Sequence, residues 1–285
     1  MAKKSTAVTT TKGKSVAATG DSNLPAHIRA AMPSGRGTST DAHDNIIPMG
    51  RILQKMSQEV EKKGQQYVPG AEVGDIYFKN LPNPIIKGSE GFLFQPVHYK
   101  WGYVEWLPRG KGGGGGAGFV ALYEANNKPK DTKMVPDPMN KERTIEVRKN
   151  GNVIVETRYH SGFIIPEEEG EAPIPCVLPF SGSGHGVSKA WMGMMNRKIV
   201  EGQKADSWWC YYRMKTVSKT KNNNTWDLFE VTDAGPEKNG IPTTMWAPTE
   251  DDLRRGEELF IALDSGAKTF DAGEEGGGDD SEGKM

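Results

Sequence analysis

The sequence predicts a mainly β fold, drawn as an OB-like Greek-key barrel with an inserted short helix, flanking helices and disordered ends. A β-sandwich fits the strand count nearly as well. Three observations carry the expectation. Alternating, β-rich runs recur between residues 75 and 232. Gly, Pro and Asn punctuate them, as in Asn80-Leu81-Pro82-Asn83-Pro84 and Asn150-Gly151-Asn152. Helical periodicity is confined to three short stretches.

In chain order, Ile46, Met49, Ile52, Leu53, Met56 and Val60 recur at three- and four-residue steps and predict a helix over 46–63, closed by Gly64. Strands follow at 75–79, 91–106, 118–124, 143–148, 152–165 and 173–180. Lys149-Asn150-Gly151-Asn152, between two β-rich runs, is the sharpest hairpin signal. The glycine run at 112–116 and the proline-bearing stretch 126–142 read as loops. A short helix begins near Ser188, carries Trp191, Met194, Met195 and Ile199 on one stripe, and ends at Gly202. Strands at 207–218 and 224–232 form a second hairpin. Thr249-Glu250-Asp251-Asp252 opens a last helix, with a capping hydroxyl and first-turn acids, that runs to about Leu263. The order of strands, helix and closing strand pair is what suggests the barrel.

The ends differ from this body. Residues 1–45 are rich in Ala, Ser, Thr, Gly and Lys, with six basic residues against Asp21, Asp41 and Asp44. Residues 271–285 hold six acids against Lys284. Both are expected to be disordered, because they bury too little apolar surface to offset ordering. The foldable domain is therefore 46–270. No run approaches ~18 apolar residues, so no membrane helix is expected. No apolar stretch follows the basic start, so no secretion signal is expected, and the host cytoplasm is the expected location. Cys176 and Cys210 lie in apolar runs and read as reduced core thiols.

Two strands concentrate rings and cations. Within 91–106, Tyr99, Trp101 and Tyr103 share one face by alternation, and Arg109 and Lys111 follow on the loop. Within 208–215, Trp209, Tyr211, Arg213 and Lys215 share a face, and the hairpin adds Lys219 and Lys221. Two readings compete. The rings are sheet core, which strands favour in any case. Alternatively they form a stacking platform for unpaired bases, with the cations on phosphates. Arg and Lys are rare on core faces, which brings the platform level with the core reading for the second strand, while for any single aromatic the core reading leads.

No catalytic constellation stands out. His98, His160 and His185 lack metal-ligand spacing to each other or to the cysteines. The glycine runs match no phosphate loop, and Phe180-Ser181-Gly182-Ser183-Gly184 meets the nucleophile-elbow pattern from one side only. The expectation is a binding protein, not an enzyme, without metal or cofactor.

Residues 151–165, Pro175-Cys176-Val177-Leu178-Pro179-Phe180-Ser181, Ser188-Lys189-Ala190-Trp191-Met192-Gly193-Met194-Met195 and the run from Phe94 to Trp106 resemble a group of bacteriophage single-stranded DNA-binding proteins. That resemblance, over about 74–232, implies an OB-type barrel that coats single-stranded DNA in phage replication or recombination, without sequence preference. It also suits an acidic tail that competes with DNA or docks replication or recombination proteins. The chain departs from the pattern by ending Glu282-Gly283-Lys284-Met285 instead of on a terminal aromatic or apolar residue. The competing expectation is a virion structural or assembly protein. Homo-oligomerisation suits either.

Overall fold

The computed structural model describes residues 46–62, 66–79, 81–108, 118–138, 143–168, 171–221, 224–266 and 269–270. The two expected disordered ends, the glycine run, and Arg109 and Lys111 of the expected site lie outside the described residues.

The fold is mainly β. Short strands come first: β1 (Ile46–Ile47), β2 (Gly50–Ile52), β3 (Ile76–Phe78) and β4 (Ile85–Ile86). The long β5 (Phe92–Trp106) follows, then β6 (Phe119–Glu124), β7 (Thr132–Pro136), β8 (Thr144–Arg148), β9 (Val153–Ile165) and β10 (Ile174–Ser181). Helix α1 (Gly184–Asn196) leads to the small ribbon β11 (Ile199–Val200) and β12 (Gln203–Lys204). A 3-10 turn (Ser207–Trp209) enters β13 (Cys210–Lys221), which returns as β14 (Asn224–Asp233). The ribbon β15 (Glu237–Lys238) and β16 (Ile241–Pro242), then β17 (Met245–Trp246), helix α2 (Glu250–Asp264) and β18 (Thr269–Phe270) complete the chain order.

Among the described residues the main sheet has nine strands, in the path β14-β13-β5-β9-β8-β7, with β10 on β9, β6 on β5 and β17 on β13. No described pairing joins β14 to β7. The sheet is therefore open, where the strand order predicted a closed OB-like barrel. The expected element order is present, but β5 spends its length on two neighbours. Its first residues pair with β13 and its last with β6, while β9 lies along the other edge.

Pro96 sits inside this central strand, where it cannot donate to a ladder. The register shifts there, between Pro96 and His98. Opposite, a Cβ at Gly162 would come within 2.1 Å of the Gln95 carbonyl, so only glycine fits. The bulge exchanges the parity of β5. Phe92 and Phe94 before it face the same side as Tyr99, Trp101 and Tyr103 after it.

Each side of the sheet has its own core. On one side, Phe94, Phe180, Trp191, Tyr212 and Met214 join Ile76 and Phe78 beneath α1 and the small sheet β2-β3-β4. On the other, Val97, Val104, Tyr159, Phe163 and Val177 meet Leu259 of α2. Each large side chain so buried contributes roughly 1.5–3 kcal/mol. Gln95 ties α2 down by donating to the carbonyls of Trp208 (2.8 Å) and Asp252 (3.1 Å). Cys176 and Cys210 are free and buried, as expected.

The helix expected over 46–63 is instead β1, β2 and a series of turns. Pro48 accepts from the Val177 amide through its carbonyl (2.9 Å), and Gly50 passes so close to Phe78 that a Cβ would lie 2.3 Å from the ring. The apolar steps are real, but they split between two cores: Ile47 and Met49 join one, Ile52 the other. Helix α1 starts at Gly184, earlier than Ser188, and stops at Asn196, because Ile199–Lys204 turn back as a ribbon at Glu201 and Gly202. The 126–142 loop contains β7. The hairpin at Gly151 and the Thr249–Asp252 capping box form as expected.

Candidate nucleic-acid interface

The predicted platform divides between the two sides of the sheet. Strand alternation, read through the Pro96 bulge, puts Tyr99, Trp101 and Tyr103 on the α1 side. Arg213 pairs with Leu93, and so falls with Lys215, Lys219 and Lys221 on the α2 side. No single surface holds both groups.

The Trp101 face is ring-rich but charge-balanced. Tyr99 packs on His160 at 5.0 Å, half-buried. Trp101, 37% exposed, meets Tyr103 edge-on at 5.8 Å. Lys128 lies over the Tyr103 ring at 4.8 Å but also pairs with Glu146 at 2.7 Å. Arg158, opposite Trp101 in register, pairs with Glu156 at 3.0 Å. On the reverse side, Lys100 pairs with Glu124 at 3.1 Å. Beyond Tyr103 the buried Glu105 accepts from Tyr123 (2.5 Å), Asn152 (2.6 Å), Arg148 (2.8 Å) and Asn150 (3.3 Å). Burial alone would raise this carboxyl, but the four hydrogen bonds outweigh burial and hold it at about 2. Arg148 also grips Asp131 through two nitrogens, at 3.0 and 3.2 Å. The cations here already have anions.

The second predicted face breaks up along its length. Trp209 belongs to the 3-10 turn and is half-buried against the first core. Tyr211 is only 2% exposed, closed over by α2. Burial, with Asp252 beside it, pushes its phenol to about 12. Tyr211 cannot take a base while α2 covers it, which corrects the expectation for that ring. Arg213 is half-buried and ion-paired with Glu167.

What remains is the outer part of the β13–β14 hairpin. Lys215, Lys219 and Lys221 are exposed, and none has an ion-pair partner among the described residues. Across from them in register stand Glu230, Trp226 and Asn224, with Val217 opposite Leu228. Trp226 is thus directly opposite Lys219, half-buried, and its indole N–H has no hydrogen-bond partner among the described residues. The other face of the hairpin is fixed by Met214 and Phe229 in the core and by Ser218 donating to Asp227 at 2.5 Å. The sequence contained this ring within a recognised strand. Its place beside Lys219 depends on the hairpin register, which local alternation does not supply.

The Nε2 of His160 lies 2.8 Å from the Ser188 hydroxyl, but the two are 1% and 0% exposed. Burial, then Arg158, lowers His160 to about 3, so it is neutral and locked against Trp191 at 4.4 Å. His185 donates to the Glu156 carbonyl at 2.9 Å. Among the described residues no three His, Cys, Asp or Glu side chains group as a metal site.

A sequence model of the Pam3 phage gp34-like proteins matches residues 14–258, most of the chain. The chain belongs to the Pam3 phage gp34-like family. The match begins before the described residues and runs through the main sheet, both hairpins and most of α2. No curated protein and no solved structure matches the chain.

Proposed function

We propose that this gp34-like protein binds single-stranded DNA without sequence preference and without catalysing a reaction, in phage replication or recombination. One observation carries the reading: Lys219 and Lys221, exposed and without ion-pair partners among the described residues, lie beside the half-buried Trp226 on one hairpin face, with Lys215 further along the same strand opposite Glu230. Lysines without protein anions exchange counterions for phosphates at no internal cost. A ring beside them gives one base a stacking surface. The reading keeps Lys215, Lys219 and Lys221 from the sequence expectation, replaces Trp209 and Tyr211 with Trp226, and removes Arg213, whose charge is engaged.

The test is a mobility shift on oligo-dT and on duplex of equal length, repeated across salt. The expected result is a preference for oligo-dT, with a log–log slope of about −0.7 per phosphate contacted, near −2 for three lysines. Equal binding to duplex, or a flat salt response, would contradict it.

A second reading, a virion structural or assembly protein, has its own support. Strand β6 pairs on one edge only among the described residues, and its Phe119, Val120 and Leu122 are 37%, 41% and 38% exposed. Such an edge is a template for another chain. Sedimentation into large particles without nucleic acid would favour this reading over the first.

A further inference from the structure

At the far end of the sheet from the hairpin, a groove runs over β7 and β8. Lys130, Lys133 and Lys149 line it, and Val135 and Val147 form apolar wall. All three lysines are exposed, and none has an ion-pair partner among the described residues. The nearest acid in the lining, Asp131, is already held by Arg148. The groove is thus a concave surface with surplus positive charge, on a segment whose sequence reads as a loop.

Its position is set by β5. The hairpin strand β13 pairs with Phe92–Phe94 at one end of β5, and Lys219 lies five residues beyond that pairing. The groove strand β8 pairs with β9 beside Ile154, which is opposite Glu105 at the other end of β5. At ~3.3 Å per residue, the path along the strands between the two lysine groups is on the order of 60 Å. Helix α2 covers the sheet between them.

We propose that this groove is a second phosphodiester-binding site, and that one chain thereby bridges two segments of single-stranded DNA. The inference rests on the hairpin reading for its first site. Sites so far apart cannot be filled together by one short oligonucleotide, so two strands, or two distant parts of one strand, are held by a single rigid sheet. Bringing two strands together is the physical requirement for annealing complementary sequences.

The test uses the full chain and oligo-dT of about six nucleotides, within what one binding surface covers. Donor- and acceptor-labelled oligonucleotides are mixed with protein, bridging is read by energy transfer, and sedimentation counts chains per complex. Three proteins are compared: wild type, the hairpin triple (Lys215→Gln, Lys219→Gln, Lys221→Gln) and the groove triple (Lys130→Gln, Lys133→Gln, Lys149→Gln). For wild type, two oligonucleotides per chain and energy transfer are expected. Each triple should bind one oligonucleotide per chain and lose the transfer signal. Bridging that survives in the groove triple, or one oligonucleotide per chain in wild type, would overturn the proposal. If only the groove triple loses binding, the hairpin reading fails and the two-site proposal with it. If the hairpin triple alone loses binding, the hairpin reading stands and the groove proposal fails.

Discussion

The two ring-bearing ends of this sheet carry similar residues and differ in how their charges are spent. Around Trp101 and Tyr103, Lys128, Arg148 and Arg158 each face a carboxylate. Around Trp226, Lys219 and Lys221 face none among the described residues, and Lys215, opposite Glu230 in register, forms no ion pair among them. The first region is an internally neutralised scaffold that happens to expose a ring. A strand of DNA would have to break ion pairs to bind it. The second region has only water and counterions to lose. Composition alone does not distinguish them; pairing does.

Acid should break the contrast most strongly, from the scaffold side. His160 has a folded value near 3 against 6.5 for a free imidazole, so below 6.5 the unfolded chain takes up a proton that the folded one does not. Its contribution is fully present above pH 6.5 and is lost as pH falls toward 3. Glu105, depressed from 4.5 to about 2, adds a loss as pH falls from 4.5 through 2. Stability should therefore drop by several kcal/mol on acidification, since a tenfold change in proton affinity between the folded and unfolded chain is worth about 1.4 kcal/mol. Urea melts between pH 7 and 4 test this, and His160→Gln should flatten the upper part of the decline. An unchanged midpoint over that range would show that the scaffold is not held by a neutral buried imidazole.

Next in size is Glu105→Ala, which deprives Asn150, Asn152 and the Tyr123 hydroxyl of their carboxylate and leaves Arg148 with Asp131 as its one carboxylate among the described residues. A loss of about 2–4 kcal/mol is expected in thermal or urea unfolding. Affinity for oligo-dT at the hairpin site of the folded variant should be unchanged. A large fall in affinity at constant stability would move the binding surface back to the Trp101 side.

On the hairpin the effects reverse. The triple Lys215→Gln, Lys219→Gln, Lys221→Gln should leave stability within about 0.5 kcal/mol, as for exposed sites. The salt slope at this site should fall by about 2. Trp226→Ala should weaken binding by about 1–3 kcal/mol, the worth of one stacked base. The smallest expected effect is for Trp101→Ala, with no measurable change in affinity.

Much of the fold was legible because local chemistry and global structure agree. Gly151 takes φ +87° in the turn that Asn150-Gly151 predicts, and Thr249 and Asp252 cap one another as their spacing implies. Where they diverge, a long-range contact decides. Phe78 against Gly50 and Val177 on Pro48 draw 46–52 into strands despite its helical spacing. The pairing of Thr132–Pro136 with β8 makes a strand of a proline-rich loop. The site was harder to read. One bulge at Pro96 decides which side Trp101 faces, and packing under α2 decides that Tyr211 is core. The exposure of Lys215, Lys219 and Lys221 was legible, because an outer hairpin strand needs no distant partner to be solvated. The place of Trp226 beside Lys219 was not, since only the pairing register brings it there.

Tryptophan fluorescence quenching by oligo-dT compares the two regions in one cuvette. In the wild type, Trp226→Phe and Trp101→Phe proteins, a bound strand is expected to quench the first and third and to leave the second nearly unquenched. Quenching that persists in Trp226→Phe and disappears in Trp101→Phe would contradict the assignment of the DNA-binding surface to the hairpin.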